Sequence, residues 1–385
     1  MPNAGSWAAR GRALESPKRG VVLQKRRLGR TNLQVSIVGF GGTWISELTM
    51  PDAVGVVRRA FDLGINYFDT AKLDGDSEEK IGAALHDVRD QCVIATKTGS
   101  RTKRESLEDF KSSLQRLQTD RLDIIQLHGI DDEKTLAKAM SAEGSLQTCK
   151  EARRQGLVDF IGITGHKPRV LVKAVESGEF DTVLVPLNVV TRQALEELLP
   201  AAKAHDVGVI AMKPLSAKTS TLITCLYQPS LSLVSDEPEL KTLLGQKTEA
   251  RVESALRYVM SQDIASVIPG LKSLGEVETA TKAAEQYNGL TAEEQKRLSF
   301  KFGEKWCRDC GKCLPCPQNI NIAAVLRFHT LSEVYGLRAW ARKLYGGLEV
   351  NAEVCTGCGE CEVKCPYKLP ITSMLKKAHR RMRQE

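Results

Sequence analysis

Short apolar segments alternate with longer amphipathic segments along most of this 385-residue chain. The apolar segments have the length of buried strands, and the segments between them show the polar caps and the i, i+3, i+4 apolar spacing of helices. Eight strand–helix repeats in about 270 residues predict a (β/α)8 barrel. The predicted strands are Val35–Gly39, Asn66–Asp69, Val93–Thr96, Ile124–His128, Phe160–Thr164, Thr182–Pro186, Val207–Met212 and Ala265–Ile268.

The connections after the predicted strands indicate where such a barrel carries its chemistry. The segment 216–245 is too long for a plain connection, so we predict that it is an active-site loop. Gly39, Gly41 and Gly42 suggest a dinucleotide-binding motif, but Trp44 stands where that motif needs its third glycine. A nicotinamide cofactor, if bound, is therefore expected on a barrel and not on a Rossmann fold.

Eight of the eleven cysteines lie in two short runs near the C-terminus, each closed by a proline. Thiolates three residues apart can reach successive irons of one cubane, and a displaced fourth cysteine before a proline is typical of a ligand to the other cluster. The runs predict two [4Fe–4S] clusters. The predicted ligands are Cys307, Cys310, Cys313 and Cys316, then Cys355, Cys358, Cys361 and Cys365.

Zinc is the main alternative for these cysteines. Four-cysteine zinc sites take two thiolates from each Cys-x-x-Cys unit, whereas each run here supplies a third at the same spacing. Disulfides fit less well, because the chain is large, has no apparent secretory signal and has an odd number of cysteines. Only Leu314 and Pro315 separate Cys313 from Cys316, which departs from the bacterial ferredoxin spacing, so the role of Cys316 is the least determined.

The net charge of +8 is concentrated at the two ends of the chain. Residues 1–27 contribute +6 and residues 373–385 contribute +4, which leaves −2 for everything between them. A nucleic-acid surface needs a basic face within the fold, so no nucleic acid is expected as a partner. No apolar run approaches the roughly 18 residues of a membrane span, and we expect a cytoplasmic protein. The Arg-rich N-terminus leaves an organelle transit peptide as an alternative.

Several motifs, in one order, resemble the aldo-keto reductase family over residues 26–290. Together with the cysteine runs they resemble the subgroup of that family that carries a C-terminal ferredoxin-type domain. The helix-like segment Ala323–Tyr345 between the runs resembles an α-helical ferredoxin module. The motifs are Gly64-Ile-Asn-Tyr-Phe-Asp-Thr-Ala71, Gly75-Asp-Ser-Glu78, Ala-Thr-Lys97, Leu-Asp-Ile-Ile-Gln-Leu-His128 and Val-Ile-Pro-Gly270, with Ile163-Thr-Gly-His166 and Met212-Lys-Pro-Leu215 in the style of the subgroup.

The resemblance implies an α/β fold class, with a (β/α)8 TIM barrel followed by a small α-helical ferredoxin-type domain. Residues 1–25 are expected to be a basic, disordered extension. Residues 26–290 are expected to form the aldo-keto reductase barrel, and residues 300–385 the ferredoxin-type domain with two [4Fe–4S] clusters.

The resemblance also implies catalytic residues. Aldo-keto reductases pass a hydride from a nicotinamide to a carbonyl carbon while a side chain protonates the oxygen, and the family's Asp, Tyr, Lys and His correspond here to Asp69, Asp74, Lys97 and His128. The tyrosine is thus replaced by Asp74. A phenol starts from a pKa of about 10, whereas a carboxyl starts from about 3.9 and is lowered further by an ammonium. Asp74 is therefore expected to be ionised beside Lys97, able to accept a proton but not to donate one.

Two further segments resemble the family's cofactor contacts. One lies on the nicotinamide side, and the other belongs to the loop that handles the adenosine phosphate. Lys272 can pair with a 2′-phosphate, but Glu276 falls where the family often has arginine, and a carboxylate there repels NADP. The choice between NAD and NADP stays open. The implied contacts are Gly42, Thr43, Trp44, Thr164, Gly270, Leu271 and Lys272.

Three functions are compatible with these residues. In the first, the protein is an iron–sulfur, NAD(P)-dependent oxidoreductase acting on a small carbonyl or alcohol, with His128 supplying the proton or Asp74 acting as base in alcohol oxidation. In the second, the clusters exchange electrons with a redox partner protein, which requires a splitter such as a flavin because a hydride carries two electrons. In the third, the barrel is a catalytically silent binding domain and the ferredoxin-type domain is structural.

Overall fold

The computed structural model describes residues 23–188, 191–215, 248–294, 307, 311–333 and 338–383. Its strands are β1 (Lys25–Arg27), β2 (Gln34–Ser36), β3 (Phe40–Gly41), β4 (Tyr67–Asp69), β5 (Val93–Thr98), β6 (Leu122–Leu127), β7 (Val158–Thr164), β8 (Thr182–Pro186), β9 (Gly208–Met212) and β10 (Ser266–Ile268). The α-helices of the barrel region are α1 (Met50–Asp62), α2 (Ser77–Leu85), α3 (Lys103–Arg116), α4 (Glu133–Met140), α5 (Ser145–Arg154), α6 (Pro168–Glu176), α7 (Gln193–Glu196), α8 (Leu198–Ala204), α9 (Thr248–Met260) and α10 (Leu274–Glu285). The C-terminal helices are α11 (Ile322–Glu333), α12 (Arg338–Gly346), α13 (Glu360–Lys364) and α14 (Ile371–Arg383).

Strands β3 to β10 form one parallel sheet whose spatial order is the chain order. The sheet closes on itself, because Val38 bridges Val267 and Gly41 bridges Gly270, both in parallel. The backbone N–H of Gly39 also donates to the carbonyl of Val267 at 2.9 Å. A closed parallel sheet of eight strands, with helices following the strands, is the predicted (β/α)8 barrel. The prediction of the fold class is confirmed.

An antiparallel hairpin of β1 and β2 precedes the barrel and lies against its N-terminal edge. Leu28, in the turn of the hairpin, is fully buried, and a Cβ added to Gly208 at the start of β9 would lie only 2.6 Å from the Leu28 side chain. The predicted barrel strand Val35–Gly39 is therefore correct only at its C-terminal end, since residues 34–36 belong to the hairpin, while Val38 and Gly39 pair with Val267 and lead into β3. One apolar run continues through both segments, so its pattern does not show where the chain changes sheets.

Polar residues set the starts of several barrel helices. Thr49, Thr102 and Asp132 cap α1, α3 and α4, and each side chain accepts a hydrogen bond from the backbone N–H three residues further on. Helices α2 and α3 follow β4 and β5, as the predicted alternation of strands and helices requires.

The interior of the barrel is packed with side chains. One apolar group fills the space enclosed by the strands, and a larger group lies between the strands and the surrounding helices. A filled interior leaves room for ligands at an edge and not along the axis. The buried members of the interior group are Leu28, Val35, Tyr67, Val93, Ala95, Ile124, Leu184, Ile210, Ala265 and Ile268.

The C-terminal helices have an apolar core of their own. Val325 of α11 and Leu375 of α14 are buried in it, together with Cys313, Cys361 and Cys365. The segment Ala323–Tyr345, predicted as helix-like, contains two helices, α11 and α12. Across the described ranges, none of the helices combines the length and the apolar character needed to cross a bilayer.

Three predictions concern residues outside the described ranges. They are the basic extension over residues 1–22, the active-site loop 216–245 and the ligand role of Cys310. The last residues assigned to the extension belong to the fold, because Leu23 is buried and β1 begins at Lys25.

Candidate active site

Asp69, Lys97 and His128 lie side by side at the C-terminal edge of the barrel. Asp69 ends β4, Lys97 is the last residue but one of β5, and His128 directly follows β6, so the parallel register of adjacent strands brings them together. The Lys97 ammonium donates to the Asp69 carboxylate and, at 2.8 Å, to the carbonyl of Thr70. These three of the predicted catalytic residues therefore meet at the edge where barrel enzymes carry their chemistry.

The Lys97–Asp69 ion pair is shielded from water, with side-chain exposures of 6% and 5%. The amide of Gln126 donates to the second carboxylate oxygen of Asp69 at 2.8 Å. Burial raises the pKa of Asp69, while the Lys97 ammonium and the Gln126 amide oppose that rise. A buried ion pair persists when its remaining donors and acceptors are satisfied, and Thr70 and Gln126 provide those partners here.

Asp74 lies half-buried in the turn between β4 and α2. Its Oδ2 accepts a hydrogen bond from the Thr43 hydroxyl at 3.2 Å. Removal from water raises the pKa of Asp74 against the lowering effect of Lys97, and the carboxylates of Asp69 and Glu78 add to the rise. Lys97 lowers the pKa of this carboxyl as expected, but burial, which the sequence does not display, outweighs the ammonium, so the expected net lowering is wrong in direction.

The turn that carries Asp74 is fixed by backbone contacts. The Asp74 N–H donates to the carbonyl of Ala71 at 2.9 Å, and the Asp74 carbonyl accepts from Ser77 at 3.2 Å. Gly75 has a φ of +66°, a conformation that costs glycine little. The Arg116 guanidinium donates to the carbonyl of Gly75 at 3.1 Å. The backbone that carries the Asp74 side chain is therefore held in one place.

His128 is half-buried, and among the described residues its Nδ1 is a buried atom with no hydrogen-bond partner. Burial lowers the pKa of His128 to about 3, and the positive groups of Lys97, Arg101 and Lys213 contribute. The imidazole is therefore neutral at neutral pH. His128 therefore does not supply a proton as an imidazolium, contrary to the hypothesis. The neutral ring still donates one N–H hydrogen bond.

A second polar group lies along the same edge, and although His166 and Lys213 belong to quoted motifs, those motifs do not predict that the two residues meet. His166, two residues after β7, contacts the Asp131 carboxylate through Nδ1 at 3.1 Å, and its backbone N–H donates to the same carboxylate. On its other side, Nε2 of His166 lies 2.7 Å from the Lys213 ammonium. Gly165 permits this contact, because a Cβ there would lie 2.3 Å from the carbonyl of Ile130.

Lys213 has an unusual backbone for a lysine. Its φ is +59°, in the left-handed region, and its side chain is buried. The buried Asn188 amide donates to the Lys213 carbonyl at 3.1 Å. No sequence pattern identifies a lysine in this conformation. The sequence does show that His166 and Lys213 each follow a predicted barrel strand, and that position places both residues at the C-terminal edge of the barrel.

The segment Gly42–Glu47 forms a 3-10 helix at the barrel mouth and carries Thr43 and Trp44. The buried Lys80 ammonium holds it by donating to the carbonyls of Ile45 at 3.0 Å, Ser46 at 3.3 Å and Leu48 at 2.8 Å. One buried lysine therefore fixes the segment that resembles the nicotinamide-side contact.

The two segments predicted to contact a cofactor meet in space. Trp44 lies against Gly270 so closely that an added Cβ would be 2.3 Å from the indole. The Lys272 ammonium lies 5.6 Å from the centre of the Trp44 ring and pairs with the Glu47 carboxylate at 3.0 Å. Lys272 is therefore already committed to a carboxylate, which weakens the prediction that it pairs with a 2′-phosphate.

Glu276 occupies the N-terminus of α10. The Ser273 hydroxyl caps this helix by accepting from the Glu276 N–H at 3.3 Å, and the Glu276 carboxylate accepts from the backbone N–H of Lys272 at 2.8 Å. The backbone N–H groups at a helix N-terminus are favourable for binding a phosphate. Here the Glu276 carboxylate occupies the position that a phosphate would take.

Thr164 and Leu271 are less accessible than the other implied cofactor contacts. Thr164 is 2% exposed and its carbonyl accepts from Ile130 at 2.8 Å, while Leu271 is fully buried. Both side chains are part of the packed fold, and their role in cofactor binding stays a prediction.

The cysteine runs are partly described. Gly357 and Gly359, with φ of +76° and +77°, flank Cys358 and wind the second run into tight turns. Burial raises the pKa of the Cys361 thiol, and the nearby Cys355 and Cys358 act in the same direction, so these three thiols are neighbours. Cys365 is buried beside them in the same core. The three neighbouring thiols, with the displaced Cys365 in the same apolar core, therefore supply the kind of donors that [4Fe–4S] clusters take.

The first run is described at Cys307, Cys313 and Cys316, with Cys313 buried and the other two half-buried. Over the parts of the chain that the structure describes, no three His, Cys, Asp or Glu side chains are grouped to hold a single metal ion.

Comparison with known proteins identifies both regions. Residues 37–299 match the sequence profile of the Aldo/keto reductase family, and residues 306–370 match that of the 4Fe-4S dicluster domain. L-galactose dehydrogenase from Arabidopsis thaliana is 31% identical over 303 residues, which cover 71% of this chain and 92% of the relative. The uncharacterized oxidoreductase YqkF from Bacillus subtilis is 29% identical over 303 residues, covering 72% of this chain and 95% of the relative. An aldo-keto reductase from Bacillus halodurans in its holo form is 26% identical, with a TM-score of 0.60, and the match covers 72% of this chain and 96% of that one.

Proposed function

The chain belongs to the aldo/keto reductase family, and we propose that it transfers a hydride between NAD(P) and a small alcohol or carbonyl compound at the C-terminal edge of its barrel. It is an oxidoreductase of this family with a C-terminal 4Fe-4S dicluster domain. We further propose that this domain, over residues 300–385, holds two clusters on its eight cysteines.

The observation that carries the proposal is the buried Lys97–Asp69 pair with His128 beside it. A catalytically silent barrel gains nothing from an ammonium and a carboxylate buried together at its mouth, because a buried ion pair contributes little net stability. The neutral His128 and the Lys97 ammonium are both hydrogen-bond donors, and they are suited to hold the oxygen of a substrate.

Asp74 is the group that exchanges the proton. In alcohol oxidation the substrate O–H bond breaks, its proton passes to the Asp74 carboxylate, and the electron pair of that bond forms the carbonyl as the hydride leaves carbon. A nicotinamide cofactor, when bound, would supply the acceptor for that hydride. A carboxyl with a raised pKa is a better base than an exposed aspartate, which favours this direction of the reaction.

The preferred cofactor is NAD. The Glu276 carboxylate at the N-terminus of α10 repels a 2′-phosphate, and the Lys272 ammonium is engaged by Glu47. NADP therefore meets one negative charge and no unpaired lysine in this loop.

An anaerobic titration of the cluster-loaded protein with NADH and then NADPH tests the proposal. Nicotinamide fluorescence and cluster absorbance are followed together. Saturable binding, tighter for NADH and with unchanged cluster absorbance, is the expected result. Bleaching of the clusters would favour electron transfer to a partner, and the lack of binding of either nucleotide would favour a silent barrel.

The base role is tested with Asp74→Asn. General acid–base catalysis contributes about 100-fold or more, so turnover should fall by at least that factor while the Kd for NADH is unchanged. Asp120→Asn, at an exposed position before β6, is the matched control and should behave as the unsubstituted protein. Unchanged turnover in Asp74→Asn would overturn the base role.

A further inference from the structure

The turn between β4 and α2 is tied to helix α3 by a buried carboxylate. The side chain of Asp109, on α3, is 10% exposed, and its Oδ1 accepts a hydrogen bond from the Lys72 ammonium at 2.6 Å. Its Oδ2 accepts from the Thr98 hydroxyl at 2.6 Å and from the backbone N–H of Ser100 at 3.3 Å. Asp109 therefore joins this turn to the C-terminal end of β5.

Asp109 is ionised at neutral pH. Burial alone would raise the pKa of its carboxyl, but the hydrogen bonds from Lys72, Thr98 and Ser100 outweigh burial and hold the pKa below its ordinary value. The contact with Lys72 is thus an ion pair, and because the Lys72 side chain is 33% exposed, the pair is partly withdrawn from water. Charge-assisted hydrogen bonds of this kind are about twice as strong as neutral ones.

The two segments that Asp109 joins carry groups of the proposed active site. Asp74 lies two residues after Lys72, and Lys97 directly precedes Thr98. Burial raises the pKa of Asp74 and the Lys97 ammonium opposes that rise, so the two side chains are close enough to interact. How far apart they lie depends on how the turn is held against the end of the strand.

A second contact from α3 holds the other side of the same turn. Arg116 lies seven residues after Asp109, a spacing that places both side chains on one face of the helix. The Arg116 guanidinium donates to the carbonyl of Gly75 at 3.1 Å and pairs with the Glu79 carboxylate at 3.2 Å. Helix α3 therefore contacts the turn both before and after Asp74.

Apolar packing holds this turn only weakly. Leu73, between Lys72 and Asp74, lies against Gly99, where an added Cβ would be 3.0 Å from the Leu73 side chain. Leu73 is nevertheless 69% exposed. Because apolar surface that stays in water gains nothing from the hydrophobic effect, the segment from Lys72 to Gly75 depends mainly on its polar contacts.

We propose that Lys72 and Asp109 are positioning residues for proton transfer, and that their ion pair holds Asp74 beside Lys97 and limits its contact with water. This inference rests on the proposed hydride-transfer function. Both residues act through Asp74 and take no part in the bond changes themselves.

Loss of the ion pair should let the turn move and bring water to Asp74. Burial is the main cause of the raised pKa of Asp74, so hydration should return that pKa toward the ordinary value of about 3.9. The charged groups that act on Asp74, which are Lys97, Asp69 and Glu78, are unchanged in a variant of Lys72. A role of the ion pair in overall stability alone would leave the titration of Asp74 where it is.

The titration of Asp74 is measured by NMR on cluster-loaded protein that is isotopically labelled at the side-chain carboxyl carbon of aspartate. The Asp74 signal is the one that Asp74→Asn removes. In Lys72→Met its transition should move to lower pH, and in Lys72→Arg, which keeps the charge, it should stay at the position found in the unsubstituted protein. Lys203→Met is the matched control, because it removes an exposed lysine of α8 that pairs with Asp263 at 2.9 Å.

Hydrogen exchange of the turn gives a second, independent measurement. The backbone N–H groups of Asp74 and Ser77 donate to the carbonyls of Ala71 and Asp74. In Lys72→Met these amides should exchange about 10-fold or more faster, since a hydrogen bond to a charged group stabilises by about the corresponding free energy. Mass spectrometry of a peptide that spans residues 70–77 measures the rate.

An Asp74 transition at the same pH in Lys72→Met, unchanged exchange of the turn, or an equal effect in Lys203→Met would each overturn the inference. A transition in Lys72→Arg that moves as far as in Lys72→Met would do the same. If Lys72→Met does not fold, as judged by circular dichroism and cluster absorbance, Asp109→Asn takes its place, because it removes the charge and keeps the size of the side chain. The same shift and the same faster exchange are expected there.

The two proposals fail separately, because the Kd for NADH and for NADPH is measured in the same samples. Nucleotide binding with an unmoved Asp74 titration overturns only the positioning role. A moved titration in a protein that binds neither nucleotide overturns the hydride-transfer function instead.

Discussion

At the scale of single residues, the decisive feature is a carboxyl that is partly withdrawn from water. Because the pKa of Asp74 is raised, its basic form is lost at a higher pH than that of an exposed aspartate. We expect alcohol oxidation to fall as the pH drops through this raised pKa. The measurement is the pH profile of kcat/KM. An acid limb at or below about 3.9, the ordinary value for aspartate, would contradict the assignment.

The same residue makes a prediction about stability. A carboxyl whose pKa is raised by folding favours the folded state when protonated, and that contribution is lost as the pH rises through the folded-state pKa. Asp74→Asn should therefore raise the melting temperature at pH 7, and the gain should shrink at pH 4. Asp120→Asn should show neither effect. A lower melting temperature for Asp74→Asn at pH 7 would show that the carboxylate stabilises the fold.

His128 titrates in the opposite sense. Its pKa is lowered to about 3, so the folded state favours the neutral ring, and stability is lost as the pH falls from the ordinary value of about 6.5 toward 3. His128→Asn should flatten the dependence of the melting temperature on pH in this window. An NMR titration should show no protonation of His128 between pH 5 and 8, and a transition in that range would refute the buried, neutral ring.

The sequence could indicate which residues lie in the candidate active site, but it could not indicate their ionisation states. Asp69, Lys97 and His128 were predictable because each lies at a strand end within a recognisable motif. The pKa shifts of Asp74 and His128 depend on burial, which arises from segments distant in the chain. The pairing of His166 with Lys213 joins residues 47 positions apart and depends on a left-handed backbone that no local pattern encodes.

At the scale of elements, the 3-10 helix that carries Trp44 depends on Lys80. Lys80→Met removes the donor to three carbonyls, and an unsatisfied buried carbonyl costs about 1–3 kcal/mol. We expect a loss of about 2 kcal/mol or more in the free energy of unfolding and weaker NADH binding, measured by thermal unfolding and fluorescence. Lys111→Met, at an exposed position of α3, is the control. Unchanged NADH binding would separate this helix from the cofactor site.

The first turn of α10 makes a second prediction at this scale. Glu276→Gln removes the carboxylate from the helix N-terminus and should tighten NADPH binding about 10-fold, the effect of removing one repulsive interaction of about 1.4 kcal/mol. Glu278→Gln, on the same helix and paired with Arg59, is the control. Equal NADPH affinity in both variants would place the 2′-phosphate elsewhere.

Most strands and helices were predictable, because each has a period and a cap within a few residues. The exception is the first barrel strand. Its apolar run is shared with β2, and only the pairing of β1 with β2 removes half of it from the barrel. Which sheet a strand joins, and in which register, is set by contacts with other segments and not by the sequence of the strand itself.

At the scale of the whole molecule, two apolar cores share no residue. The barrel core and the C-terminal core are separate groups, and the second is built around cysteines. Chelating iron anaerobically should therefore unfold the C-terminal region while the barrel keeps its NADH affinity. Calorimetry should show two transitions, of which only one depends on iron. A single transition that includes loss of NADH binding would show that the two regions fold as one unit.

The hairpin at the N-terminal edge of the barrel determines where ligands enter and leave. Leu28 and Val35 fill the N-terminal end of the barrel, so the barrel is open at its C-terminal end alone. We expect a cofactor and a substrate that both bind at the mouth to use this one opening, so that the molecule bound deeper enters first and leaves last.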